Sequence, residues 1–215
     1  MQSSRERILQ IIQSRHAETV GGLARSLDLA PATVRRHLDI LQRDSLVTYT
    51  EIRRGTGRPE HSFTLTEVGH ESFPKGYDAL LGKVVRELDA LSEGDTAGKT
   101  GAQVLNMTLV RIGERIAAPS AGKDRAGAIQ SLVETLQDHD FAPEIEDSED
   151  GIRITLMNCP FRSVAMTESS ICAYDTTLIS TILGSQVTRE RCISRGDKAC
   201  VYVTDDLHTA AADRS

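Results

Sequence analysis

Tryptophan is absent from these 215 residues, and phenylalanine and tyrosine occur only four times each. The interior must therefore be built from aliphatic side chains. No apolar run approaches the roughly 18 residues that a spanning helix needs, so no membrane partner is expected. The first residues, Met1-Gln2-Ser3-Ser4-Arg5-Glu6-Arg7, carry no apolar signal core and run straight into a polar helix pattern, which predicts a cytoplasmic protein. Hydrophobic residues at 39% and charged residues at 26% exclude a disordered chain. The length suits two small domains better than one.

Two further absences divide the chain. Lysine is missing from residues 1–64, where ten arginines against seven acidic residues leave a charge of +3. Residues 65–215 carry fifteen basic and twenty-four acidic residues, a balance of −9. A basic head on an acidic body predicts that only the head meets an anionic partner, because phosphate repels the rest. Cysteine is missing before residue 159, and Cys159, Cys172, Cys192 and Cys200 then fall within 42 residues. In a cytosolic chain such thiols are more often metal ligands or redox groups than disulfides.

Within the head, Ser3-x-x-Glu6 is a capping box opening a helix through Ile8, Leu9, Ile11 and Ile12. Thr19 starts a second helix carrying Val20, Leu23 and Leu27. After the turn Asp28-Leu29-Ala30, Pro31 starts a third, whose Val34, Leu38 and Leu41 are spaced for one buried stripe. Its other face presents Thr33, Arg35, Arg36 and Asp39. Two short helices across such a turn, the second bearing exposed arginines, predict a helix-turn-helix; a plain three-helix bundle is the alternative. The next segment favours the first reading. Leu46–Ile52 and His61–Leu65 alternate as strands around the basic tip Arg53-Arg54-Gly55-Thr56-Gly57-Arg58-Pro59, a wing. Thr33, Arg35 and Arg36 are the expected base readers, and Arg53, Arg54 and Arg58 the expected phosphate or minor-groove contacts of double-stranded operator DNA.

Tyr77, Leu81, Val84, Leu88 and Leu91 step as a two-heptad seam, predicting a dimerisation helix in a homodimer, with packing inside its own domain as the alternative. Gly94-Asp95-Thr96-Ala97-Gly98 is expected to break that helix as a hinge. The run Gly94-x-x-x-Gly98-Lys99-Thr100 is one residue short of a phosphate loop and follows a helix rather than a strand. Arg195-Gly196-Asp197 falls in a hairpin turn. No catalytic set stands out, so no enzyme is expected.

Beyond the hinge, helices are expected over about 103–117 and 125–139. Strands at 141–146 and 152–156, a helix at 170–183, and a hairpin carrying Cys192 and Cys200 should follow. The fold class is α+β, organised as a winged helix-turn-helix (1–70), a linker or dimerisation helix (71–98), a cysteine-bearing sensor domain (99–206) and a tail (207–215). Cys159 follows a strand, and Cys172 lies at a helix start, where the dipole should lower its pKa. With Cys200 these thiols come from three separate elements that could converge on one centre. The spacing C-x12-C-x19-C-x7-C lacks the C-x2-C knuckle of structural zinc sites. An iron–sulfur cluster ranks above zinc, with zinc and unrelated core thiols as alternatives. Hairpin parity leaves open whether Cys192 and Cys200 share a face.

The winged helix, Gly57-Arg58-Pro59 followed by Leu65-Thr66-x-x-Gly69, and Cys159-Pro160-Phe161 with Cys172 and Cys200 together resemble the SufR family of iron–sulfur-dependent repressors of cluster-assembly operons. That family's pattern is C-x12-C-x27-C, and Cys159, Cys172 and Cys200 reproduce both gaps. Separately, Cys192-x3-Gly196-Asp197-x2-Cys200-x-Tyr202 resembles the closing hairpin of 4-vinyl-reductase-type ligand-binding domains. The SufR resemblance implies a dimeric repressor whose cluster, 4Fe–4S favoured over 2Fe–2S, is held by Cys159, Cys172 and Cys200 and controls operator affinity. Cys192 lies outside that pattern and is either the fourth ligand or a bystander. The rival expectations are a zinc- or small-ligand-responsive regulator on the same scaffold, and an enzyme using the vinyl-reductase-like domain.

Overall fold

A computed structural model describes residues 3–53, 59–149 and 151–204. The chain divides into two units between Pro74 and Lys75.

In the first unit, α1 (Ser4–Arg15) opens on the expected capping box: Glu6 N–H donates to Ser3 Oγ, and Ser3 N–H donates to the Glu6 carboxylate. Two helix-end donors are thereby satisfied within one turn. Thr19 caps α2 (Val20–Leu27), and Asp28 ends it in the left-handed region at φ 54°. Pro31 is the first residue of α3 (Pro31–Arg43), where it sacrifices no helical hydrogen bond. Ile8, Ile12, Leu23, Val34, Leu38 and Leu41 close the core with Val47 and Phe63.

The wing strands are β2 (Val47–Ile52) and β3 (Glu60–Leu65), paired Val47 to Leu65 through Ile52 to Glu60. A two-residue strand β1 (Glu18–Thr19) adds to the other edge of β3, giving the order β1-β3-β2. Helix α4 (Glu67–Glu71) follows, its N-terminus capped by Thr66 through the N–H of Gly69. A Cβ at residue 69 would lie 2.0 Å from the Leu46 carbonyl oxygen. The Leu65-Thr66-x-x-Gly69 motif is thus a cap with a backbone close approach.

The second unit places α5 (Tyr77–Asp89), α6 (Glu93–Thr96), α7 (Gly101–Ala117) and α8 (Arg125–Asp138) before the hairpin β4 (Pro143–Ser148) and β5 (Gly151–Leu156). Then come α9 (Arg162–Ala165), α10 (Ala173–Leu183), β6 (Thr188–Arg191) and β7 (Cys200–Thr204). The sheet runs β4-β5-β7-β6, antiparallel throughout. Its inner face carries Ile152, Ile154 and Leu156 opposite Thr204, Tyr202 and Cys200, all buried. Helix α10 packs closely on α7 at Gly113, where a Cβ would meet the Tyr174 carbonyl at 2.9 Å.

Three expectations are corrected here. The segment set apart as a linker, 71–98, straddles the division, and α5 belongs to the second unit, where Leu80 joins the core. The expected hinge is an anchored turn. Ser92 and Asp95 form a capping box on α6, Asp95 pairs with Arg111 of α7, and only Gly98, at φ 71°, has the backbone of a break. The apolar seam is also rotated about the α5 axis. Tyr77, Leu80 and Val84 pack inward, whereas Leu81, Val85 and Leu88 stay exposed at 63, 57 and 43%, and the helix ends before Leu91.

Candidate functional site

On α3, Val34, Leu38 and Leu41 are buried, which leaves Thr33, Arg35, Arg36 and Asp39 exposed on the opposite face. A helix held by one stripe offers the other to a major groove. Arg53 is exposed at the end of β2, while Arg54 and Arg58 lie outside the described residues. The wing strands are stiffened by a stack of Tyr49 on His61, with ring centroids 4.0 Å apart.

The four cysteines, all free thiols, reach the second unit's interior from different elements. Cys159 follows β5, and its carbonyl accepts from the Arg162 N–H at 3.2 Å. Phe161, two residues on, packs edge-on against Phe141 and Tyr174 and fixes that loop. Cys172 ends a short 3-10 turn, Ser169–Cys172, and stands at the N-cap of α10. Its expected low pKa is overturned: burial first, then the charges of Asp175 and Cys192, push the thiol up to about 12. The dipole is outweighed because desolvation acts on the whole charge of a thiolate. Burial and Asp175 likewise push Cys159 up to about 12, and burial raises Cys200.

Cys192 differs. It is fully buried, yet its pKa is lowered: burial opposes the shift, but the Ser194 hydroxyl at 2.9 Å, the Ser194 backbone and Arg189 prevail. Its sulfur lies 4.0 Å from that of Cys200, which also accepts from the Ile193 N–H at 3.4 Å. Simple parity does not apply, because the β6–β7 ladder bulges between Arg189 and Arg191 and Ile193–Arg195 form a 3-10 turn. Such a bulge re-aims the side chains that follow it. Cys159 and Cys192 both act electrostatically on Cys172 and on Cys200, so all four thiols share one neighbourhood.

Among the described residues no group of three or more His, Cys, Asp or Glu is gathered so as to hold a metal ion. A tetrahedral zinc site with bonds of about 2.3 Å would need all its sulfurs about 3.8 Å apart. The Cys192–Cys200 pair approaches that spacing at 4.0 Å. Iron–sulfur clusters distribute their thiolates over several irons and need no such convergence on one point. An all-sulfur donor set is the chemistry that such clusters take.

Sequence reasoning gave no role in this centre to Asp175, Arg189 or Tyr202. Asp175 is buried, accepts from the Tyr202 hydroxyl at 2.7 Å, and has its pKa pushed up to about 6, chiefly by burial. Arg189 enters the same region from β6. Their signals were slight: Asp175 lies one helical turn after Cys172, and Tyr202 alternates with Cys200 along β7.

Residues 1–50 match the family described as a helix-turn-helix domain. Among solved structures, a transcriptional regulator homologue from Pyrococcus horikoshii OT3 is similar at 23% identity, over 41% of this chain and 82% of that one, with a TM-score of 0.29. No curated protein matches the chain. The head is a winged helix-turn-helix, a DNA-binding fold. No described helix is long and apolar enough to cross a membrane.

Proposed function

We propose that the chain is an iron–sulfur-cluster-dependent transcriptional regulator, a repressor that binds its operator as a homodimer and controls genes of cluster assembly. The observation carrying this reading is that four free thiols, three buried and Cys159 half-buried, come from separate segments into one electrostatic neighbourhood. Cys159, Cys172 and Cys200 would hold the cluster at the spacing of the SufR family, and Cys192, whose sulfur lies 4.0 Å from that of Cys200, would be the fourth ligand. When bound, a cluster would supply iron–thiolate bonds that cross-link these elements and a centre that oxidants can destroy.

The protein's own bonds carry the consequence onward. Residues just after Cys159 hold the start of α5: Gly76 N–H donates to the Pro160 carbonyl at 3.3 Å, and Tyr77 Oη lies 2.7 Å from Ser163 Oγ. Helix α5 exposes Leu81, Val85 and Leu88, an i, i+4, i+7 stripe suited to the same stripe of a second copy. Ordering the Cys159 loop orders the start of this dimer helix, so that loss of the cluster weakens operator binding through the dimer.

The test is anaerobic preparation of the full chain, with absorption, iron and sulfide measured beside operator binding before and after chelation. Brown protein with sulfide, and affinity that falls on chelation, is expected. Colourless, zinc-loaded protein would replace this reading with a zinc regulator on the same scaffold.

A further inference from the structure

We infer that Arg189 is a positioning residue for the thiol centre, its guanidinium donating to and balancing the charge of an anionic iron–sulfur group. This rests on the cluster reading above and names a residue outside the thiol pattern. On the edge strand β6, Arg189 pairs with Tyr202, whose side chain is fully buried on the sheet face that also carries Cys200. Directly opposed residues of an antiparallel pair share a face, so Arg189 points inward while Glu190 and Arg191 remain exposed. Its charge acts on Cys172, Cys192, Tyr202 and Asp175.

Edge strands often carry an inward charge to discourage pairing with other chains. That role leaves one fact unexplained. The Nη1 atom of Arg189 is buried and has no hydrogen-bond partner. The Tyr202 hydroxyl, which donates to Asp175 Oδ2, is a hydrogen-bond partner of the guanidinium, but Nη1 itself is left over. Buried charged donors are normally satisfied, so Nη1 points to an acceptor that the polypeptide does not supply. A cluster held by three or four thiolates is net anionic and presents sulfur acceptors, and hydrogen bonds to sulfur are among the levers that set a cluster's potential. The bulge between Arg189 and Arg191 is the local device that lets the strand place this side chain and then turn toward Cys192.

The experiment uses the full chain, loaded anaerobically, as wild type, Arg189→Met and Arg189→Lys, with circular dichroism to verify folding. Removing the positive charge in Arg189→Met should make the midpoint potential more negative and weaken cluster retention against a chelator by about tenfold to a hundredfold. Arg189→Lys should restore most of the potential and only part of the retention, because it keeps the charge without the planar fork. A purely structural arginine would lower thermal stability with and without cluster and leave the potential unmoved. Unchanged potential and retention in Arg189→Met overturn the inference while leaving the cluster reading intact; should that variant not fold, wild-type behaviour of Arg189→Lys in both measurements does the same. Wild-type chain that takes up no iron and sulfide overturns both.

Discussion

Tyr202 donates its hydroxyl proton to Asp175 Oδ2 across 2.7 Å, joining the last strand to α10 inside the second unit. Both side chains are buried, and Asp175 lies one turn beyond Cys172 while Tyr202 lies two residues beyond Cys200. The pair therefore braces the backbone from which two of the four thiols project.

That bond sets a pH dependence. Burial raises the Asp175 pKa from an ordinary 3.8 to about 6 in the folded chain, against the lowering effects of Tyr202 and Arg189. Between these values the folded state binds more protons than the unfolded one, so this group's contribution is full below about pH 4 and is lost as pH rises through 6. The change is about 3 kcal/mol, from roughly two pKa units on a fully buried group. Urea unfolding of cluster-free wild type and Asp175→Asn across this range should show a stability difference that grows in favour of the variant with rising pH. A difference independent of pH would mean that Asp175 stays ionised in the fold.

Reading of the operator falls on α3. Arg35→Ala or Arg36→Ala should reduce discrimination between operator and unrelated DNA by about 1–3 kcal/mol where that arginine contacts a guanine. Arg53→Ala should weaken all sequences alike and flatten the dependence on salt. Gel-shift titrations at two salt concentrations separate these outcomes, and unchanged binding in all three variants would move the interface off this face.

Helix α5 makes a paired prediction. Leu81 and Leu88 are exposed, so Leu81→Glu with Leu88→Glu should leave the fold intact and give monomers by sedimentation. Leu80→Glu, by contrast, buries a charge in the core and should unfold the unit. A dimer that survives the double variant has its interface elsewhere.

These elements also show where a sequence is readable. Val34, Leu38 and Leu41 define the packing side of α3, because apart from the half-buried Ile40 every other position there is polar, proline or alanine. Helix α5 is ambiguous: Leu80, Leu81, Val84, Val85 and Leu88 make an apolar arc wider than one seam, and only packing within the second unit selects its inner part. The strand β1 has two residues and no periodicity. The spacing of Cys159, Cys172 and Cys200 was legible, whereas the inward charge of Arg189 depends on a strand register and a bulge. The electrostatics of Cys172 escaped because a helix start is visible in sequence and burial around it is not.

The thiols themselves can be ranked. Serine at Cys159, Cys172 or Cys200 should abolish or sharply reduce bound iron and sulfide, because an alcohol is a poor substitute for thiolate on iron. The three lie on different segments, the loop after β5, the turn before α10 and strand β7, so no neighbouring group can easily take the place of one. Cys192 is the most thiolate-inclined of the four, held by Ser194 and Arg189, and its sulfur lies 4.0 Å from that of Cys200. Cys192→Ser should therefore also lose or convert the cluster, which would be read as lower iron per chain or an altered absorption spectrum. A full, spectrally unchanged cluster in Cys192→Ser would give the fourth position to another ligand and leave the other three assignments standing. Full iron content in the Cys159, Cys172 and Cys200 variants would remove the cluster site altogether. Operator affinity, measured on the same anaerobic samples, should fall in step with iron content across the series, since the Cys159 loop is bonded directly to the start of α5.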